Sequence, residues 1–310
     1  MQIVSFKKDR SISLVDGCGL CLGHFDGVHI GHRALIDELK RLNSCRDTKL
    51  PLGALCFTTP PTATLQRTPT PQLTTLQQKL QLLAEAGLDF AVLYDFPRLR
   101  DMPPDDFIRR VLIMDCNAKM LVCGFNYSFG AKGAGKPIDL ENKFATQPGR
   151  ALSVVAPVTL GTHTVSSTLV RSMLQNGHPE IATQLLGRPY TLVGTVEKGN
   201  QIGRKMGLPT ANLAFERDTL VPLHGVYAVT VKIDNRTYTG ISNIGTRPTV
   251  SRGSSVNCET FIFDYKGDLY GRSIKISFLH FLREERKFPS LDAREAQIRE
   301  DILRTKAMFL

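Results

Sequence analysis

The chain has 310 residues, 42% hydrophobic and 22% charged, with a formal net charge of +10. Domains usually run to roughly 100–200 residues, so the length calls for two of them, and the composition is that of an ordinary soluble globular protein. No apolar run approaches the ~18 residues of a membrane span, and Met1 to Arg10 has two lysines but no long apolar stretch after them, so it does not read as a secretory signal. The expectation is a cytoplasmic protein with no membrane partner. The basic residues are scattered, with no stripe of interleaved aromatics, so no nucleic acid is expected and phosphorylated small molecules account for the charge. Seven cysteines, an odd number, lie mostly in apolar runs and read as small buried hydrophobes. Cys18 and Cys21 form one CxxC in a strand-like segment, where residues three apart point to opposite faces.

Taken in chain order, residues 18–23 are a short apolar strand ending at glycine. Residues 31–42 carry helical periodicity, with Ala34, Leu35, Leu39 and Leu42 on one face. A strand follows at 52–57, a helix at 74–86 with Leu76, Leu80 and Leu83 as its core face, and a strand at 90–94. Residues 104–114 read as a helix opened by Pro103 and Pro104. Strands at 119–124 and 151–155 and helices at 167–175 and 179–186 complete the first half. Strands alternating with helices predict a parallel sheet with helices on both faces.

The pattern changes near Gly187-Arg188-Pro189. Short β-rich runs follow at 190–197, 226–233, 237–243, 256–263 and 273–281, with turn signals at Asp234-Asn235 and Lys266-Gly267. Only 290–308 reads as a long helix. The expectation is an antiparallel β-barrel with a C-terminal helix, and a domain boundary at 185: residues 1–185 and 186–310.

Gly23-His24-Phe25-Asp26-Gly27-Val28-His29-Ile30-Gly31-His32 lies between the first strand and the first long helix. Ligands bind at the carboxyl ends of strands in such sheets, glycines let backbone approach phosphate, and a helix N-terminus offers unpaired N–H groups to an anion. His29 and His32 could both reach one phosphate chain, or could serve only as caps. The block resembles the signature of the HxGH nucleotidyltransferases, and in its wording the bacterial FAD synthetases. The resemblance implies a Rossmann-like domain that binds ATP through Gly23, Phe25, Asp26, Gly27, His29, Gly31 and His32. Val165 to Arg171 resembles the family's SSTxxR element, adding Ser166, Ser167, Thr168 and Arg171; the serines would equally serve as N-caps. Gly124 to Gly135 resembles the GxNFxFGxxxxG loop and implies flavin contacts from Asn126 and Phe129. Residues 57–61, Phe-Thr-Thr-Pro-Pro, depart from the family's Phe-acid-Pro-x-Pro turn on the flavin side.

In the second half, the glycines and basic pair of Gly199, Gly203, Arg204, Lys205 and Gly207, leading to Pro209, Thr210 and Asn212, suit a phosphate-binding loop or a plain β-turn. Thr210 and Asn212 offer two neutral oxygens at alternate positions, enough for a magnesium ion that keeps waters and phosphate oxygens. The segment resembles the GxxxGRxxGxPTAN signature of riboflavin kinases. The resemblance, which runs from about residue 15 to 308, implies that Glu259 is the base that deprotonates the ribityl 5′-hydroxyl, with Arg283 and Glu284 beside the flavin. It identifies the chain as a member of the bacterial bifunctional riboflavin kinase/FAD synthetase family. That implies Mg²⁺, ATP as co-substrate, and riboflavin, FMN and FAD as substrates or products; a monomer or weak homo-oligomer is expected. His29, His32 and Arg171 would stabilise charge as FMN attacks ATP. Two alternatives are a riboflavin kinase with weakened or lost adenylylation, suggested by residues 57–61, and a flavin- or RNA-binding regulator, suggested only by charge.

Overall fold

The computed structural model describes residues 1–5, 16–59, 70–197, 210–216, 218–247 and 255–309. The chain divides into two compact units, Met1–Ser167 and Thr168–Leu310.

The first unit is built on a parallel sheet of β1 (Gln2–Ser5), β2 (Cys18–Leu22), β3 (Leu52–Phe57), β4 (Phe90–Tyr94), β5 (Ala118–Gly124) and β6 (Ala151–Val155), in the order β1-β4-β3-β2-β5-β6, and the chain then makes a short antiparallel pair, β7 (Thr159–Leu160) and β8 (His163–Thr164). All five residues of β2 are buried, as expected for a central strand covered on both faces. Cys18 belongs to one apolar layer, with Phe107, Ile108, Val111 and Leu112, and Cys21 to the opposite one. The period-2 reading of the CxxC therefore holds. Helix α1 (Ile30–Ser44) buries Leu35, Ile36, Leu39 and Asn43 in that opposite layer. Helix α2 (Leu76–Glu85) starts at a capping box between Thr75 and Gln78. Its buried residues are Lys79, Leu82 and Leu83, so the face is turned from the expected Leu76–Leu80–Leu83 line. Apolar spacing located the helix but gave no weight to a lysine inside it.

From β2 the chain runs outward through β3 and β4, then returns to the other side of β2 as β5. The strand order reverses between β2 and β5, and a crevice at their carboxyl ends is where such folds bind ligands. The HxGH block leaves β2 at that point, and the 124–135 loop leaves β5.

The second unit begins with α3 (Ser167–Gln175), whose first residue closes the first unit, and α4 (Pro179–Leu186). Leu223 N–H donates to the Leu174 carbonyl at 3.0 Å, and α4 packs on the strand Ser273–Glu284. Gly187 ends α4 at φ 69°, the left-handed position that glycine takes without a Cβ clash. An antiparallel sheet follows: β9 (Tyr190–Thr195), β10 (Thr210–Ala214), β11 (Gly225–Ile233), β12 (Arg236–Arg247), β13 (Ser255–Ile262) and β14 (Ser273–Glu284), in the order β10-β13-β12-β11-β14-β9. Two register shifts between β11 and β14 bend it. Its edges meet at a bridge between Glu197 and Asn212, which curls the sheet toward a barrel. Helix α5 (Leu291–Met308), capped by Ser290, lays Ile298 and Ile302 on Val226, Ile241 and Leu282. Packing thus divides the chain before α3, whereas composition divides it after α4.

Candidate active sites

The turn after β2 is strained. Phe25, Gly27 and Val28 have φ of 55°, 79° and 42°. Positive φ is an outlier for a β-branched residue and costs ~1–3 kcal/mol, so surrounding structure must hold it. Phe25 and Val28 are buried side chains. The Asp26 carboxylate, fully buried, accepts from Leu73 N at 3.0 Å, Thr74 N at 3.2 Å and Thr74 Oγ1 at 3.2 Å. Gly27 N donates to Thr74 Oγ1 at 3.1 Å, and Ser167 Oγ donates to the Asp26 carbonyl at 2.9 Å. Asp26, expected among the ATP contacts, is therefore turned inward as a clamp between the HxGH turn and the segment before α2.

His29 is the N-cap of α1: its Nδ1 accepts from His32 N at 3.2 Å. An accepting Nδ1 puts the proton of the neutral ring on Nε2, so capping and phosphate contact are compatible roles. The two imidazoles stack, with centroids 3.6 Å apart and planes at 15°. Phe25 flanks His32 at 5.1 Å. Burial first, and then the positive charge of His29, His24 and Lys79, pushes His32 well below the usual histidine range. His32 is therefore a neutral hydrogen-bonding group in the free protein rather than a fixed cation. Gly31 explains the x-Gly-x spacing: a Cβ there would lie 3.1 Å from two atoms of the His29 ring. Gly31→Ala should push that ring out of its stack and lower FAD formation about 10-fold, since sub-ångström misplacement weakens alignment. Riboflavin phosphorylation, assayed on the same sample, should not change; equal loss of both would refute this reading.

Gly23 packs against the Phe25 ring, and Ser166 is half-buried. Thr168, exposed, and Arg171, half-buried, lie in α3 and belong to the second unit. On the expected flavin side Asn126 is exposed, but Phe129 is a core residue between Phe107 and Tyr127, at 5.3 and 5.7 Å. It anchors the loop from below, and Phe125, 47% exposed, is the aromatic that faces outward. Thr58 N donates to the Tyr94 carbonyl at 2.9 Å, and Pro60 and Pro61 lie outside the described residues.

In the second unit a cavity of about 660 Å³ is lined by residues that include Thr210, Asn243, Glu259, Arg283, Glu285 and Asp301. Antiparallel pairing of β10 with β13 sets Asn212 opposite Glu259. Thr210 Oγ1 donates to Glu259 Oε1 at 2.7 Å, and Asn257 Nδ2 donates to Asn212 Oδ1 at 2.8 Å. Cys258, between these residues, is buried, and burial pushes its thiol up to about 11, which leaves it inert. Arg283 grips the buried Asp301 of α5 through Nε and Nη2, the shortest contact being 2.8 Å. This pair ties α5 to the sheet over the cavity.

Glu284 is exposed and outside the cavity lining; Arg283 and Glu285, on either side of it, are within. Motif order drew attention to the run, but alternation along a strand decides which side chains face in. Asn243 and Glu285 are additions to the predicted set. Asn243 Nδ2 donates to Glu285 Oε1 at 3.3 Å, and a Cβ at Gly245 would collide with that carboxylate. The sequence signal for both was their place in the Asn243–Thr249 and Leu282–Phe288 runs. Gly199, Gly203, Arg204, Lys205, Gly207 and Pro209 lie outside the described residues.

The FAD synthetase family model matches residues 12–169, and the riboflavin kinase family model matches residues 186–309. Bifunctional riboflavin kinase/FMN adenylyltransferases are similar over nearly the whole length. The Listeria monocytogenes protein is 35% identical, covering 94% of this chain and 92% of its own. The Escherichia coli K12 protein is 36% identical, covering 95% and 93%. A solved structure described as a macrolide-efflux protein from Streptococcus pneumoniae matches with a TM-score of 0.88 at 28% identity, over 99% of both chains. Among the described residues of the present chain, no helix is long and apolar enough to cross a membrane. Nothing in these matches favours the kinase-only alternative: the FAD synthetase match spans the altered residues 57–61. A parallel α/β unit with an HxGH turn, joined to a curled antiparallel sheet with a carboxylate in its cavity, carries both of the activities named in these relatives, and the chain belongs to the bifunctional riboflavin kinase/FMN adenylyltransferase family.

Proposed function

We propose that the two activities of the chain are divided between the two sites described above. The chain phosphorylates riboflavin with ATP to give FMN and ADP, and adenylylates FMN with ATP to give FAD and pyrophosphate. For the kinase step, Glu259 accepts the proton of the ribityl 5′-hydroxyl as that oxygen attacks the γ-phosphorus. The observation that supports it is the 2.7 Å contact with Thr210 on the cavity wall, which leaves the second carboxylate oxygen for substrate. For the adenylyl step, an FMN phosphate oxygen attacks the α-phosphorus. His29 and His32 donate from Nε2 to phosphate oxygens, with the N-terminal amides of α1 beside them. Ser166, Ser167, Thr168 and Arg171 belong to the same proposal as ATP contacts, and Arg171 would pair with phosphate oxygens.

Thr210 and Asn212 fit a magnesium ion held mainly by ATP. They are two residues apart on one strand, and each presents a neutral oxygen. Bound there, the ion would neutralise charge on the transferring phosphoryl group. The proposal extends to a cytoplasmic protein, monomeric or weakly homo-oligomeric, with no nucleic-acid partner. The scattered placement of the basic residues supports the last of these. Product analysis by chromatography, with riboflavin or FMN as the flavin supplied, tests the division once each site is disabled in turn.

The division also predicts separable activities. A fragment 168–310 keeps α3 and α4 with the barrel and should make FMN but no FAD. A fragment 184–310 splits α4 and removes buried Ala182, and with it part of the packing of α4 on β14. It should melt at a lower temperature than the longer fragment in a thermal scan. A folded 168–310 fragment without kinase activity would show that the first unit contributes to that site.

A further inference from the structure

Behind the HxGH turn lies a buried cation. Lys79 of α2 is 4% exposed, and its Nζ donates to the His24 carbonyl at 3.1 Å. Among the described residues no carboxylate pairs with it. A buried ammonium is costly unless compensated, and one carbonyl dipole is thin compensation. The same helix face carries Leu82 and Leu83, so an apolar residue would suit this position better for packing alone. The His24 carbonyl that Lys79 holds immediately precedes the strained stretch from Phe25 to Val28. The charged and titratable groups that bear on His32 are His29, His24 and Lys79, with no acid among them. The His32 Nδ1 is buried without a hydrogen-bond partner among the described residues. Asp26, the buried acid of the same turn, accepts from Leu73 and Thr74, and the charges that act on His32 are the positive ones.

We propose that Lys79 is a positioning residue for adenylyl transfer: it fixes the strained turn through the His24 carbonyl and places a positive charge behind the two histidines that meet the polyphosphate. This rests on the reading of the HxGH turn as the adenylyl-transfer site. The charge repels a proton from His32, whose Nδ1 is buried without a partner among the described residues and whose ring stacks on His29, so the pair is spared an uncompensated buried charge down to lower pH; Nε2 donates in either state.

The test uses the full chain with Lys79→Met, Lys79→Gln and Lys79→Arg, assayed for FAD formation from FMN and ATP. Lys79→Met should lower kcat about 10- to 100-fold, as for lost preorganised electrostatics. The acid limb of kcat/KM, which reports the free enzyme, should move to higher pH, because His32 takes up a proton more readily once the neighbouring charge is gone. Lys79→Gln keeps a donor for the His24 carbonyl without the charge. It should show the same shift with a smaller fall in kcat, and it carries the test if the Met variant fails to fold. Lys79→Arg should recover much of the rate and restore the limb. Riboflavin phosphorylation should stay at the wild-type level in all three. Wild-type FAD formation in Lys79→Met, or equal losses in the Met and Arg variants with an unmoved acid limb, would overturn the proposal. Failure of the site reading is seen separately, as retained FAD formation after loss of both histidines.

Discussion

Glu259→Gln should cut riboflavin phosphorylation by ~10²-fold or more, while FAD formation from supplied FMN stays near the wild-type level. The substitution keeps the shape and removes the proton acceptor. Thr210 Oγ1 can still donate to the remaining amide oxygen, so the 2.7 Å contact need not break. The strand pairing does not depend on the side chain, because Glu259 lies in register between Asn212 and Asn243 in ladders that the backbone makes. The loss should therefore fall on kcat, with unfolding temperature little changed. Steady-state kinetics with riboflavin and with FMN, on one protein sample, checks it. Loss of both activities together would mean that Glu259 is structural.

The second large effect is expected at the histidine pair. Replacing His29 and His32 with Ala should lower FAD formation from FMN by ~10²-fold or more and leave the kinase intact. The single variants should be nearly as impaired as the double one, since groups that act as a unit are not additive. The stacking at 3.6 Å gives the reason: each ring is one wall of the other's site. His29→Ala also removes the α1 cap, worth about 1 kcal/mol, so a modest fall in unfolding temperature is expected for it and less for His32→Ala. Wild-type adenylylation in the double variant would remove the pair from the mechanism.

Local periodicity carried much of the architecture. The run 18–23 is a strand because every residue in it is apolar or small, and α4 stops where Gly187 can take a left-handed conformation. The placing of Cys18 and Cys21 in opposite layers follows from the strand repeat alone. Strand β10 was legible only as an extended segment, because the sequence before it is rich in glycine and its partner β13 is distant in sequence. Length was also underestimated for β12 and β14, which run on past their apolar cores through paired backbone.

By itself, then, the sequence determined the two-part organisation, the strand and helix types, and the two motifs on which the proposed sites rest. These depend on spacing between near neighbours, which survives in a linear reading. Only the tertiary structure decided which motif residues are buried and which remain exposed. Asp26 is drawn inward by Leu73 and Thr74, 47 and 48 positions away, and Phe129 by Phe107. Lys79 is buried because α2 lies over the turn after β2, and Asp301 because α5 folds back onto Arg283. In each case a long-range contact sets the direction of the side chain, and a motif specifies residue type and order but not direction.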